Sequence, residues 1–375
     1  MALNVNILDT YYMAGLWEGL SPVNTFFRDR YFPTAPQDIF AADKVLCEYR
    51  DGDNGRAPFM TLDADPINVK RSGYELHDYA PTCIKQSRNL TADQLKQRGF
   101  GEAILSDSTE EERAAKLVAE DLALLERRIV RTEELLCATV MINNGFTVVE
   151  NIGADANGDP IPGPTAQVQF YDPNVGNDGA YSIGSQWTTS TSWSEIVEDV
   201  RNMCRSLSRR GLPHTDLIIG QEVADVLLAN TDFRALVDKM SGIIIASPIV
   251  QELTKYDGVS LLGVVNFGGY NLNVIVVDEQ YQDKVYDSGS GTYVTTWVNY
   301  FPADAIMVTA PNAGHLMYAH IVHMDEDGSV DTIKGKRVPD LFVDRKRKTR
   351  EIILESRPFA APKNYSPWIY AANVT

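Results

Sequence analysis

Cysteine, histidine and long apolar runs are all scarce in this chain, and each shortage removes a class of function. The four cysteines, Cys47, Cys83, Cys137 and Cys204, lie far apart and form no CxxC pair. That spacing argues against a disulfide framework and against a zinc site. Cys137 and Cys204 fall in stretches expected to be helical, where small thiols are commonly buried. Among the five histidines, only His315, His320 and His323 cluster, with Asp325 close by. On a strand, His320 and His323 face opposite sides because three is an odd step, so they do not converge on a metal. His77-Asp78, and His214 with Asp216, have no serine or cysteine in a nucleophile setting, and GxSxG is absent. Neither a GxxxxGK[ST] phosphate loop nor a dinucleotide-binding glycine fingerprint occurs. No run approaches the roughly 20 apolar residues of a membrane span. The first six residues lack the basic start and apolar core of a secretory signal, so cytosolic synthesis and residence are expected.

Acidic turns are present but incomplete as metal sites. Asp155, Asn157 and Asp159 begin like a calcium loop, yet Pro160 stands where the turn glycine belongs and Ala166 where the bidentate glutamate belongs. Asp63-Ala64-Asp65 and Asp325-Glu326-Asp327 read as solvated turns.

Positive charge is also in deficit. Thirty-four lysines and arginines face 51 aspartates and glutamates, for a formal charge of −17. A sequence-independent nucleic-acid binder must neutralise phosphates, so that class is disfavoured. A container whose wall does not adhere to its contents is compatible with the same charge. At 375 residues and 44% apolar content, the chain can bury a substantial core in two or more lobes.

The dominant positive feature is one long helix over residues 109–143. Ser108 and Glu111 form a capping-box pattern, and Gly145 offers a stop. About 35 residues at 1.5 Å each give a rod of roughly 52 Å. Val118, Leu122, Leu125, Ile129, Thr132, Leu136 and Val140 trace an apolar stripe, widened by Leu117, Leu124, Leu135 and Ile142 and interrupted by Arg128. Glu112, Lys116, Glu120, Glu126, Arg127, Arg131 and Glu134 occupy the arc expected to face water. The stripe is too broad and too short for a coiled-coil seam. The helix should therefore lie on a sheet with one side wet.

Around this rod the sequence divides. Residues 1–43 are aromatic and poorly periodic, with Pro22, Pro33 and Pro36 favouring an extended arm that needs a partner surface. Residues 44–88 read as strands with turns, including Asp51-Gly52-Asp53-Asn54-Gly55, and form a two-stranded excursion that is marginal alone. Strands are expected at 146–151 and 167–171. A fresh α/β unit begins near Trp187, with a helix at 194–210, a strand at 216–219, helices near 221–229 and 232–240, and the stretch 249–256. Strands follow at 272–277 and 305–309, and a hairpin joins 281–286 to 292–301. Residues 313–375 return to strand character at 315–324, 334–344 and 351–355. One basic run, Arg345, Lys346, Arg347, Lys348 and Arg350, stands out in so acidic a chain; it could meet phosphate, acidic surface on a neighbouring copy, or only water.

The order of arm, hairpin excursion, long helix, α/β lobe and returning strands resembles the major capsid proteins of tailed phages, in particular the lambda-type capsid protein E family. Phe26-Phe27-Arg28-Asp29-Arg30-Tyr31 is similar to that family's Phe-Phe-Arg-Glu-Ser-Tyr segment. Tyr300-Phe301-Pro302-Ala303-Asp304-Ala305-Ile306-Met307-Val308 is similar to its Asn-Phe-Leu-Pro-Asp-Asn-Thr-Met-Val segment. The lead-in at Trp187 and Glu355-Ser356-Arg357-Pro358 also have counterparts, while the hairpin between 281 and 299 is enlarged.

The resemblance implies an α+β, Hong Kong 97-like capsid fold and a structural, non-enzymatic role. It implies an N-terminal arm (1–43), an extended loop over an adjacent subunit (44–88), and a peripheral domain with a spine helix (89–186). An axial domain (187–312) and return strands completing the peripheral sheet (313–375) follow. The implied function is the major head protein of a tailed bacteriophage, assembling as hexamers and pentamers around double-stranded DNA. The implied partners are other copies of the chain, a separate scaffolding protein, a portal protein and a decoration protein. Packaged DNA would be enclosed without sequence-specific binding, and neither a membrane nor a cofactor is expected. The implied setting is the virion capsid, assembled in the host bacterial cytoplasm. Expected inter-subunit residues are Phe26, Phe27 and Phe32 on the arm, Arg56, Lys70 and Arg71 on the loop, and the run Arg345, Lys346, Arg347, Lys348 and Arg350. Two rival readings are an encapsulin-like cellular cage and a cytosolic metal-dependent hydrolase using acidic turns with His320 or His323.

Overall fold

A computed structural model describes residues 25–49, 75–91, 110–154, 160–170, 179–234, 253, 255–256, 258–287, 292–324, 329–344, 346 and 348–375. The long helix, α2, spans Glu110–Asn143 and is the longest element. Its stripe is buried at Val118, Leu122, Leu125, Ile129 and Val140, whereas Thr132 is exposed. Thr132 can face water because its hydroxyl donates back to the Arg128 carbonyl at 3.1 Å. The expected capping box at Ser108 lies outside the described residues.

The stop differs from expectation by one residue. Asn144, not Gly145, takes the left-handed conformation, with φ of 54°. Gly145 already opens the next strand, where its missing side chain lets the Val168 carbonyl approach. Asn144 is buried, and its Oδ1 accepts a 2.7 Å hydrogen bond from Trp368 Nε1. Asn144→Gly keeps the turn but strands the indole donor, an expected loss of about 1–3 kcal/mol. Asn144→Ala should cost about 1–2 kcal/mol more, because alanine resists positive φ. Urea unfolding of both variants checks this; equal losses would refute the strain component.

Among the described residues there are three apolar cores, two of which are built on α2. Beneath its first half lies an antiparallel sheet of β3 (Ile84–Thr91), β15 (Val338–Asp344) and β16 (Thr349–Ser356), in the order β15-β16-β3. Leu90, Ile352 and Leu354 meet Val118, Leu122, Leu125 and Ile129 there. β3 begins at Ile84, inside the segment expected to be loop, because its alternation lets it pair with β16 over eight positions. The excursion itself is present at its base, where β1 (Val45–Tyr49) pairs with β2 (Glu75–Tyr79).

The second core is the α/β lobe. Helix α3 (Trp193–Arg209) buries Ile196, Val200, Met203, Cys204 and Leu207, the face its periodicity predicts. It packs with α4 (Gln221–Ala229) against a five-stranded sheet ordered β18-β11-β6-β8-β7. These strands are β6 (Asp216–Ile219), β7 (Val259–Phe267), β8 (Tyr270–Val277), β11 (Ile306–Thr309) and β18 (Ile369–Ala371). Only β6 and β8 run parallel.

The hydropathy pattern does not predict β7 or β18. β18 also corrects the expected assignment of all residues after 313 to the peripheral sheet. The C-terminal Ile-Tyr-Ala pairs with β11, and the Trp187 amide donates to the Val374 carbonyl. The expected helix at 232–240 and the stretch 249–256 fall largely outside the described residues.

The third core joins the other two. It contains Phe26, Phe27, Tyr31 and Phe32 with Cys137, Met141, Phe301, Phe359 and Trp368. A strand pair formed by β12 (Gly314–Tyr318) and β17 (Pro358–Pro362) carries Phe359 into it. The single strand expected at 315–324 is broken at Ala319-His320 into β12 and β13 (Ile321–Met324), and β13 pairs with β14 (Val330–Ile333). Two further ribbons complete the fold. β4 (Gly145–Ala154) pairs with β5 (Pro160–Gln169), and β9 (Gln280–Asp287) pairs with β10 (Thr292–Asn299). The first is longer than expected, because the three prolines of β5 are tolerated in a ribbon with no further described strand beside it.

Candidate assembly surfaces

The arm does not stay extended where it meets the body. Phe26–Tyr31 forms a short helix, α1, and its first-turn amides need acceptors that lie outside the helix. Glu134 supplies them: its Oε1 accepts from the Phe27 amide at 2.6 Å and its Oε2 from the Arg28 amide at 2.9 Å. Asp29 of α1 accepts from the amide and hydroxyl of Thr25, the residue before the helix. Glu134 was expected on the wet arc of α2 and is instead fully buried. A helical face is wet only if nothing lands on it, and α1 lands here from 107 residues away in sequence.

Burial pushes the Glu134 carboxyl up to about 8; the two amides oppose this and Glu279 adds to it. The folded chain therefore holds a proton that the unfolded chain releases near 4.5, the ordinary value. Raising pH through that window favours unfolding, so this contribution is complete below about 4.5 and lost by about 8. Glu134→Gln should flatten that part of the pH dependence, read as urea midpoints from pH 5 to 8. An unchanged slope would contradict it.

Two ion clusters fix the joint. Asp216, the first residue of β6, is fully buried and accepts from Arg30 Nε at 2.8 Å, Tyr31 hydroxyl at 3.1 Å and Asn273 Nδ2 at 2.8 Å. Burial and the neighbouring Asp216 hold the Tyr31 hydroxyl well above its usual range, so it remains a donor. On the other side, Arg337 bridges two carboxylates two turns apart on α2. It reaches Glu126 from Nε at 2.6 Å and Glu133 from Nη1 at 2.6 Å. Arg28 joins the same Glu133 at 3.2 Å. None of Glu133, Asp216 or Arg337 stood out in the sequence as a site residue. The available signal was a pair of adjacent glutamates, Glu133-Glu134, near the end of a largely apolar stripe.

Phe26, Phe27 and Phe32 are thus anchors within their own chain. Each is fully buried, Phe27 against Phe301 and Phe32 against Trp368, leaving no ring surface for a neighbour. This replaces their expected inter-subunit placement. The apolar C-terminus is likewise housed internally, through Trp368. Arg56, Lys70, Arg71, Arg345 and Arg347 lie outside the described residues. Lys346 and Lys348 are exposed in the turn after β15, and Arg350 is half-buried in β16. The histidines do not converge. His315 faces Asp38 at 3.6 Å, His320 faces Asp43 at 3.2 Å, and His323 faces Asp340 at 3.8 Å. Among the described residues, no group of three His, Cys, Asp or Glu could hold a metal ion.

Surface left for partners lies on the ribbons. Ile152 is 72% exposed on β4, Trp297 63% on β10 and Met324 68% on β13; Phe342, on β15, is 58% exposed. Large apolar side chains displayed this way mark contact surfaces. Tyr293 of β10 donates to the Pro160 carbonyl at 3.2 Å, so two of the ribbons touch within the chain.

A spine helix, an α/β lobe, a two-stranded excursion and apolar ribbons define the fold of a phage capsid subunit. The chain belongs to the phage major capsid protein E family, whose model matches residues 9–373. It is similar to a chain described as a prophage capsid protein of Escherichia coli CFT073, at 17% identity and a TM-score of 0.59, covering 99% of each chain. It also resembles the capsid of Ralstonia phage GP4, at 11% identity and a TM-score of 0.47, over 94% of this chain and 92% of that one. No curated protein matches by sequence. The family is one of structural capsid proteins, not of enzymes.

Proposed function

We propose that this chain is the major head protein of a tailed bacteriophage, assembling as hexamers and pentamers into an icosahedral shell around double-stranded DNA. The observation that carries the reading is apolar surface on two-stranded ribbons, which have little stability alone and gain it by packing on neighbours. In this reading the 44–88 excursion lies over an adjacent subunit, the spine-helix region forms the periphery, and the α/β lobe points to the capsomer centre. Scaffolding, portal and decoration proteins are separate chains. The charge of −17 suits a wall that encloses DNA without sequence-specific binding, inside a virion assembled in the bacterial cytoplasm. The role is structural, without catalysis. Electron microscopy of the purified full-length chain, alone and with its phage's scaffolding protein, tests this. Closed particles with five- and six-fold clusters are expected, and a monomer at every concentration in both conditions would refute it.

A further inference from the structure

Between α2 and β3 lies a cavity of about 350 Å³ floored by Leu124 and Leu125 and ringed by Arg88, Arg127, Arg128 and Arg131. Arg88 is paired with Asp121 at 2.7 Å. Arg127, Arg128 and Arg131 are exposed and, among the described residues, meet no carboxylate at ion-pair distance. Three unpaired guanidiniums within two turns of one helix repel one another, a cost that an incoming anion relieves. Arginine in particular presents a planar fork that matches a carboxylate in two-point fashion.

Two observations decide what the anion is attached to. The chain carries 51 acidic against 34 basic residues, so the abundant surface that any copy presents to another is acidic. Leu124 is 44% exposed at the centre of the cationic ring, where an aliphatic side chain can cover it and a phosphodiester backbone cannot. Copies bearing −17 each also need local charge complementarity to approach at all.

We infer that this groove is a docking site for an acidic segment of a second copy of the chain. The inference rests on the shell reading above and assigns one of its contacts. It places a charged clamp at Arg127 and Arg131, which the sequence marks only as solvent-facing, and at Arg128, which it marks only as a break in the apolar stripe.

The test compares wild type with the triple variants R127E/R128E/R131E and R127K/R128K/R131K, by light scattering and electron microscopy over a concentration series. All three changes are on exposed side chains, so circular dichroism should match wild type. Should the glutamate variant misfold, the alanine triple carries the same comparison. Loss of the three pairs is expected to raise the concentration needed for assembly by about tenfold or more, with the lysine variant much closer to wild type. Assembly should also weaken as salt rises. A glutamate variant that assembles at wild-type concentrations overturns the inference. If it does so while losing affinity for labelled duplex DNA, the groove is a phosphate contact instead. If wild type itself never assembles, the shell reading fails and takes this contact with it.

Discussion

Asp216→Ala is expected to lose about 3–5 kcal/mol of stability and to release the arm from the body. Asp216 sits at the start of β6, the central strand of the α/β lobe, with no exposure to solvent. Its two oxygens serve four donors: Arg30, Tyr31, Thr215 and Asn273. Removing the carboxylate takes this counter-charge from the Arg30 guanidinium, which is 6% exposed, and leaves the Tyr31 hydroxyl and Asn273 amide without that acceptor. Loss of the Asp216 charge beside a buried guanidinium accounts for most of the expected loss. Asp216→Asn keeps an acceptor but not the charge, and should fall between wild type and alanine. Urea unfolding gives the magnitude. Brief trypsin digestion gives the location, because cleavage after Arg28 and Arg30 requires α1 to lift off. An alanine variant within about 1 kcal/mol of wild type, with the arm still protected, would contradict this account.

Arg337→Ala should be comparably damaging, at about 3–5 kcal/mol, through the opposite charge. Here two carboxylates lose their common cation. Glu133 is fully buried and would keep Arg28 and the Tyr318 hydroxyl but lose its bridging guanidinium; Glu126 is already raised by burial, an effect that Arg337 opposes. The guanidinium also donates to Ser356 Oγ at 3.0 Å and lies over the Tyr318 ring at 5.8 Å. Arg337→Lys should recover only part of the loss, because a point charge cannot span Glu126 and Glu133 together. The deficit of the alanine variant should shrink in mild acid. Without Arg337, burial raises the Glu126 carboxyl further, so it takes up a proton more readily in the folded than in the unfolded chain and lowering pH favours folding. Thermal or urea midpoints at pH 5 and pH 8 read this directly, and a deficit independent of pH would count against it.

These two clusters show where sequence reasoning reached and where it stopped. The limits of α2, the buried face of α3 and the β6 and β11 strands follow local rules, so they were legible at nearly single-residue precision. The family resemblance was also legible, in Phe26-Phe27-Arg28 and in the segment from Tyr300 to Val308, and those segments meet in space where Phe27 stacks on Phe301. Glu133 and Glu134 were not. On a helical wheel Glu134 falls on the wet arc and Glu133 at the edge of the apolar stripe, and only the arrival of α1 and Arg337 makes them buried acceptors. The pattern marks the three arm aromatics as anchors without saying which chain holds their pocket, and the structure buries them in their own chain. A short aromatic segment looks the same in sequence whether its pocket is its own or a neighbour's.

By itself the sequence determined the long rod, the amphipathic helices, the acidic surface and the family, because each depends on residues close together or on totals. Only the tertiary structure decided that α1 caps onto Glu134, that β18 returns to the α/β sheet, and that Arg127, Arg128 and Arg131 ring an apolar floor. Periodicity marks which face of an element can be covered. What covers it arrives from a hundred or more residues away, and the pattern of the element itself holds no record of that partner.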